Sequence, residues 1–266
     1  MTVAAPSAPS ATHADRRPPA LGGFSTAVLA IEIRRVLRNR RTMMFILVMP
    51  AVFFLLFGLP QRGQELPNGR PVTAWIMISL AVYAAMVATT SAGAAVATER
   101  ALGWSRQLRV TPLRPGAYVA TKVATAMVLG LIAVLVEFAV SAVAGVRVPV
   151  QVWLVAGLAA WLGSLVFAAL GLFVGYLAPA ENVMQFMGPI LAILAMLGGL
   201  FVPLDVLPHA LQQIAKFTPV YGVGQLARAP LTGAGMDWVA LGNLAGWTVL
   251  FGLGAARLFR RDTTRV

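Results

Sequence analysis

Residues 74–97 read AWIMISLAVYAAMVATTSAGAAVA, and residues 98–112 continue as TERALGWSRQLRVTP. A helix needs about 20 consecutive apolar residues to cross the hydrocarbon core of a bilayer. The first stretch meets this length without a single charge, whereas the second carries an acid and three arginines and cannot stay in lipid. Together they predict a transmembrane helix that is followed by a basic loop in water.

The rest of the chain has the same character. Of its 266 residues, 59% are hydrophobic and 11% are charged, whereas ordinary soluble domains carry about 25% charged residues. We therefore predict an all-α, polytopic membrane protein with six transmembrane helices. The predicted spans are residues 43–59, 74–97, 119–144, 152–177, 186–202 and 238–258.

The basic residues lie in short segments between the apolar runs, and this placement predicts the orientation of the chain. If the N-terminus is inside, 16 of the 21 lysines and arginines lie in inner segments, so the positive-inside rule predicts that both termini are cytoplasmic. The 19 arginines against two lysines, with abundant alanine, hint at a GC-rich bacterial genome, so we expect a bacterial plasma membrane. The remaining five are Arg62, Arg70, Arg147, Lys216 and Arg228. The net charge of +12 does not form one face, which argues against nucleic-acid binding.

Several segments lie outside the spans. We expect a disordered cytosolic tail over residues 1–23, and a cytosolic C-terminal tail over residues 261–266. Residues 24–41 predict an amphipathic helix in the membrane interface, because apolar and basic positions separate on a helical wheel. Its apolar side holds Leu29, Ile33, Val36 and Leu37, and its basic side holds Arg34, Arg35, Arg38 and Arg41.

The six-span domain, residues 42–260, contains two further segments of interest. Residues 98–116 form the basic loop. Residues 204–237 form an outer segment in which Pro208 and Pro219 each suit the start of a helix. These two helices are too short to span, so we expect them to lie at the outer leaflet or to re-enter it.

Small residues and prolines within the spans predict how the helices pack. Gly171 with Gly175, and Gly242 with Gly246, have the four-residue spacing at which helices approach closely. Pro50 and Pro189 lie inside predicted spans and are expected to kink them.

Several function classes lack their residues. The two lysines, Lys122 and Lys216, do not follow a glycine-rich turn, so the chain has no P-loop of its own. Neither of the two histidines lies in a span, the spans contain no aspartate, and there is no cysteine. We therefore predict no catalytic residue, no metal site and no cofactor bound by this chain, and we expect membrane lipid as a partner.

Residues 98–113, followed by Tyr118 and Lys122, resemble the ABC transporter type-2 permease family. In that family an acid-Arg-acid, Gly, hydrophobic, Leu, Thr/Ser-Pro pattern follows the second span, and here Ala101 replaces the second acid. Residues 199–204 and 207–221 are similar to the exit of the fifth span and the outer helices of the family.

The resemblance implies that two permease chains pair and that each docks on a separate P-loop ATPase subunit, which binds ATP and Mg. The loop would be the coupling helix of the family, and the N-terminal helix its connecting helix. In agreement, Pro112 cannot continue a helix, and Trp104 and Leu108 would share one helical face. The residues expected to couple to the ATPase are Glu99, Arg100, Gly103, Trp104, Arg106, Leu108 and Arg109.

By analogy with the family, the cargo path lies between facing second and fifth spans. Its candidate lining residues are Met77, Tyr83, Met86, Met187, Met196 and Phe201. Glu137 lies inside the third span, where an acid is costly. It is either a cavity-facing group that attracts a cationic or polar substrate, or a protonated or hydrogen-bonded structural acid in the bundle, with Arg147 as the suggested partner.

These features favour the membrane subunit of an ATP-driven exporter of lipophilic or drug-like cargo. Export of polysaccharide or lipid-linked glycan is the alternative within this class. A non-transporting membrane scaffold or sensor subunit is an alternative from another class. The sequence leaves open whether the pair of permease chains is a homodimer or a heterodimer.

Overall fold

The computed structural model describes residues 23–66, 69–103, 114–233 and 235–264. Within these ranges six helical segments are long and apolar enough to cross a membrane, which confirms the all-α, polytopic prediction and the predicted number of spans. We name them span 1 to span 6. They are Met44–Gln61, Val72–Ala101, Gly116–Val143, Val150–Leu177, Ala180–Leu197 and Trp238–Asp262.

Span 1 is irregular on both sides of Pro50. Because proline has no backbone N–H, the α-helical hydrogen-bond ladder cannot continue unchanged through this position. The chain alternates between α-helical and wider π-helical turns. The segments are the helices Arg40–Met43 and Met49–Phe53, the π-helical turns Met44–Val48 and Phe54–Gly58, and the 3₁₀ turn Leu59–Gln61.

Two other spans are built from two helices each. Span 2 comprises Val72–Ala94 and Val96–Ala101, and span 4 comprises Val150–Gly163 and Leu165–Leu177. The break in span 4 falls at the buried Ser164, whose hydroxyl donates to the carbonyl of Trp161 at 2.6 Å.

Spans 3 and 6 are continuous helices, Pro115–Val143 and Trp238–Thr264. The second of them runs into the segment predicted as a C-terminal tail, so that the described part of the tail is helical.

Span 5 begins six residues earlier and ends five residues earlier than its predicted bounds. Pro179 precedes its first turn in an extended conformation. Glu181 lies in that turn, which is why hydropathy alone placed the start too late. At the other end, Gly199 takes a φ of +77°, and the N–H of Leu200 returns to the carbonyl of Ala195 at 2.9 Å. This left-handed glycine closes the helix.

The N-terminal helix, Thr26–Leu37, begins at Ser25, whose hydroxyl accepts the N–H of Ala27 at 3.2 Å. It packs against span 3. From its predicted apolar side Leu29, Ile33 and Val36 are half-buried, whereas Leu37 is exposed. The predicted amphipathic helix is therefore present, and most of its apolar side contacts protein.

Two helices follow the predicted prolines in the segment after span 5. The short distal helix, His209–Ala215, follows Pro208, and the long distal helix, Pro219–Thr232, starts at Pro219. Thr218 caps the second helix by accepting the N–H of Tyr221 at 3.3 Å. This long distal helix packs against spans 2, 4 and 6, so it is part of the bundle.

Span 2 is the centre of the bundle: 78% of its apolar window is buried, against 17% for span 6. It approaches span 4 through glycines, as predicted for Gly171 and Gly175. A Cβ atom on Gly93 would lie 2.7 Å from the carbonyl oxygen of Ala168, so no side chain fits there. A Cβ on Gly242 or Gly246 would meet no described atom within 4 Å, so this second predicted pair does not mediate packing within the described chain.

The bundle has two ends of different composition. The basic end holds the N-terminal helix, the C-terminal ends of spans 2, 4 and 6 and the start of span 3. The distal end holds the two distal helices, the start of span 2 and the end of span 5.

Candidate functional site

The side chain of Glu99 lies at the basic end, in the last turns of span 2, and is 6% exposed. Its Oε1 accepts the ammonium of Lys122 at 2.5 Å, and its Oε2 accepts the hydroxyl of Tyr118 at 2.6 Å. Both donors come from the first turns of span 3, where their four-residue spacing places them on one face. One carboxylate therefore joins the end of span 2 to the start of span 3, the two helices that the basic loop connects.

The N-terminal helix adds two residues to this site. Arg35 Nη2 donates to Glu99 Oε1 and forms an ion pair with Glu32 Oε2 at 2.8 Å. Glu32 Oε1 in turn accepts from Lys122 Nζ at 3.0 Å. Partial burial acts to lower the pKa of Arg35, but the hydrogen bonds and negative charges of Glu99 and Glu32 together outweigh it, so that this pKa lies above its ordinary value.

We call these five residues, Glu32, Arg35, Glu99, Tyr118 and Lys122, the basic-end network. It contains two acids and two bases in a largely buried position. Removing one member of a buried ion pair typically costs about 3–5 kcal/mol, because the partner is left charged and unpaired. The network therefore fixes the N-terminal helix, span 2 and span 3 relative to one another.

The next residue in sequence, Arg100, contacts spans 4 and 6, whereas Glu99 contacts span 3 and the N-terminal helix. Its Nε and Nη2 donate to the two carboxylate oxygens of Asp262 at 3.1 and 2.8 Å, in a bidentate pair with span 6. Its Nη1 donates to the carbonyls of Gly175 and Tyr176 at 3.1 Å each. These are carbonyls of the last turn of span 4, where a cation complements the helix dipole.

Glu99 and Arg100 were predicted to couple to an ATPase subunit. The structure places both in contacts within the chain, and their coupling to an ATPase stays a prediction. The loop that starts beyond them turns at Gly103, which takes a φ of +75°. The other predicted coupling residues, Trp104, Arg106, Leu108 and Arg109, lie outside the described residues.

An open cleft of about 410 Å³ lies beside Arg100 at the basic end. Its walls come from the end of span 2, the turn between spans 4 and 5, and the end of span 6. The lining residues are Ala97, Arg100, Ala101, Ala178, Pro179, Ala180, Glu181 and Asp262.

The predicted path residues are only partly brought together. The rings of Tyr83 in span 2 and Phe201 after span 5 lie 5.0 Å apart. Met77 and Met86 are fully buried in the core, and Met187 is 9% exposed. Met196 is 57% exposed on the outside of span 5. The single chain therefore brings spans 2 and 5 together at the Tyr83–Phe201 pair.

Glu137 is 1% exposed, and neither of its carboxylate oxygens has a hydrogen-bond partner among the described residues. The suggested pairing with Arg147 is absent among the described residues and was wrong, whereas the choice between a cargo-binding acid and a protonated structural acid stays open. The hydroxyl of Ser141, one helical turn further on, is also buried without a partner within the described part of the chain. Among the same residues no cluster of three or more potential ligands could hold a metal ion.

Sequence reasoning missed Glu32 and Asp262. The chain has nine acids in all, and both of these lie in helices next to a membrane boundary. That scarcity was a usable signal, since an acid in an otherwise basic segment needs a reason. Their partners could not be predicted from the sequence, because Lys122 is 90 residues from Glu32 and Arg100 is 162 residues from Asp262. Only the tertiary structure brings them together.

Comparison with known proteins agrees with this architecture. The sequence model of the ABC-2 type transporter family matches residues 25–231. This match covers the N-terminal helix, spans 1 to 5 with the basic loop, and all but the last residue of the long distal helix.

A relative in Bacillus subtilis (strain 168), named "Putative transport permease YvfS", is 27% identical over 233 residues. The aligned region covers 87% of this chain and 95% of that protein. The chain belongs to the ABC-2 type transporter family and is a permease subunit of an ABC transporter.

Proposed function

We propose that the chain is the membrane subunit of an ATP-driven exporter and that its basic end faces the cytoplasm, where a separate ATPase subunit docks on the basic loop. The observation that carries the proposal is the double anchoring of this loop. Glu99 ties its start to span 3 and the N-terminal helix, and Arg100 ties it to spans 4 and 6.

This anchoring suits the transmission of movement. A force applied to the loop acts at once on span 2, and the basic-end network passes it to span 3 and the N-terminal helix. Because charge-assisted hydrogen bonds are short and directional, a movement of one bonded helix moves its partner with little change in their separation. The loop is therefore a mechanical input and not a solvated connection that merely satisfies topology.

We infer that the ATPase is a separate polypeptide. Lys122 is taken up by the basic-end network, and Lys216 lies at the distal end next to span 6. Neither follows the glycine-rich turn of a P-loop, so that ATP and Mg would be bound by the partner subunit. The orientation rests on the excess of lysine and arginine at the basic end.

A second permease chain is supported by span 5. Phe186, Ile190 and Ile193 are exposed on this span, as are the polar Asn182 and Gln185 near its start. Exposed amide side chains are unfavourable against lipid. A face of this mixed character suits an interface or a water-accessible path between two chains, and the pair of spans 2 and 5 would then line the path.

For the cargo we propose lipophilic or drug-like molecules, because the residues at the contact of spans 2 and 5 are aromatic and apolar. Such surfaces accept varied apolar ligands. Glu137, an unpaired acid in span 3, would favour cationic members of that class once a path opens beside it. A glycan exporter remains the second candidate within the class, and a scaffold or sensor subunit the candidate outside it.

The experiment combines association and export. A variant with Gly103→Ala and Trp104→Ala is co-expressed with the cognate P-loop ATPase subunit. We expect normal amounts of permease in the membrane, little co-purified ATPase and no export. Wild-type co-purification together with wild-type export would contradict docking through the loop.

Two comparisons identify the class of cargo and the class of protein. ATPase stimulation in lipid discs is measured with cationic drugs and with lipid-linked glycans, in the wild type and in Glu137→Gln. Stimulation by drugs that is weakened by Glu137→Gln supports the proposed cargo. Stimulation by glycans alone favours the second candidate, and ATPase association without export of any tested cargo favours a scaffold.

A further inference from the structure

Arg228, on the long distal helix, is a buried arginine that the coupling mechanism does not use. Its side chain is 4% exposed. Within the described part of the chain no carboxylate lies within ion-pair distance of it, and Asp205 acts on its charge from further away. A buried charge without a counter-ion is costly, so it persists where its hydrogen bonds serve a purpose.

The guanidinium of Arg228 joins three elements. Its Nη1 donates to the hydroxyl of Ser79 in span 2 and to the carbonyl of Gly199 at the end of span 5, at 3.1 Å each. The guanidinium carbon also lies 5.3 Å from the centre of the Trp75 ring in span 2, at cation–π distance. One nitrogen atom thus bridges the distal ends of spans 2 and 5.

The backbone around this contact is shaped to admit the guanidinium. A Cβ on Gly224, one turn before Arg228 on the same helix, would lie 3.0 Å from Nη2 and 3.3 Å from Leu200. Gly199 has a left-handed φ of +77°, and its carbonyl, freed from the helix that it closes, accepts the bond from Arg228. A side chain at either glycine would disturb the bridge.

One helical turn below Ser79, Tyr83 contacts Phe201, so the two spans meet again just inside the Arg228 contacts. We propose that Arg228 is a positioning residue that holds the distal ends of spans 2 and 5 closed, as the distal latch of the transport path. This inference rests on the proposed function for the meaning of the path, but the latch itself is a property of the single chain.

Opening the latch requires less free energy than separating the ion pairs at the basic end. Opening the two spans breaks hydrogen bonds to a hydroxyl and a carbonyl, and it requires no separation of an ion pair. Water or Asp205 can then solvate the guanidinium. Hydrogen bonds to a charged group are worth enough to shift a two-state equilibrium about tenfold each. The latch is therefore strong enough to keep the end closed and weak enough to release.

The test uses the absence of native cysteine in the chain. Tyr83→Cys is a single-cysteine reporter just inside the latch, and its reaction with a membrane-impermeant thiol reagent is followed from the distal side. We expect slow labelling with Arg228 present and labelling about tenfold faster with Arg228→Gln. Ser79→Ala, which removes one of the two acceptors, should give a smaller increase, and Arg228→Lys, which keeps the charge, an intermediate rate.

Two controls separate a latch from general destabilisation. Arg70→Gln removes another arginine that bonds the same helix, through the carbonyl of Thr232, and it should leave the reporter slow. Ala133→Cys, buried in span 3 in a different hydrophobic cluster from the one that Tyr83 packs against, should stay unlabelled in the Arg228→Gln background. Unchanged labelling of Tyr83→Cys, or equal gains at both reporters, would overturn the latch. Because no ATPase or cargo is needed, this result is independent of the proposed function.

Discussion

The two ends of the bundle are held together by different chemistry. At the basic end, positively charged side chains meet carboxylates: Glu99 binds Lys122 and Arg35, and Arg100 binds Asp262. At the distal end, Arg228 and Arg70 donate to hydroxyl and carbonyl groups. Paired charges in a buried site strongly resist separation, whereas charge–dipole contacts exchange readily with water. This difference fits the proposal that the basic end is rigid and receives force and that the distal end opens.

Glu99→Gln is expected to have the largest effect, because it leaves Lys122, 3% exposed, with Glu32 as its remaining acid. We expect a loss of about 3 kcal/mol in the free energy of unfolding, seen as a lower melting temperature of the purified chain in lipid discs. Glu181→Gln, at an exposed acid on the rim of the cleft, is the matched control and should melt like the wild type. A Glu99→Gln protein that also melts like the wild type would remove the contrast between the two ends.

A smaller effect is expected at the Arg100–Asp262 pair, because both side chains are partly exposed. A double-mutant cycle with Arg100→Ala and Asp262→Ala should give a coupling energy of about 1–2 kcal/mol in the melting analysis. Arg114→Ala, at the exposed far end of the loop, should combine additively with Asp262→Ala. Additivity in the Arg100 cycle would show that the pair does not tie span 2 to span 6.

Arg70→Gln is expected to have the smallest effect. Its bond to the carbonyl of Thr232 is exposed, and such contacts contribute about 0–1 kcal/mol. We expect a melting temperature close to that of the wild type and unchanged membrane insertion. If Arg70→Gln destabilised the protein as much as Glu99→Gln, the distal end would be as rigid as the basic end.

The spans could be predicted from the sequence because length and apolarity are local properties. The starts of the two distal helices were also local, since Pro208 and Pro219 each mark one. The start of span 5 was predicted wrongly, because Glu181 and Asn182 lowered the hydropathy of a segment that is nevertheless helical. In this segment the residues are polar but the backbone is helical, so Pro179 marks the start of the helix better than hydropathy does.

The candidate site could be predicted in part. Glu99, Tyr118 and Lys122 stood out in the sequence pattern, but their contact with one another needs spans 2 and 3 to be antiparallel and in register. Gly171 was a correct packing prediction, whereas Gly242, with the same spacing to its partner, faces away from the described chain. Spacing identifies a face of a helix, and the fold decides what meets it.

The most direct test of the account asks on which side of the membrane each end lies. In the cysteine-free chain, Leu102→Cys places a thiol at the exposed start of the basic loop, and Phe217→Cys places one at the exposed end of the short distal helix. An impermeant reagent applied to intact cells should label Phe217→Cys and leave Leu102→Cys unmodified until the cells are opened. Labelling of Leu102→Cys in intact cells would place the loop outside and contradict its role as the input from a cytoplasmic ATPase.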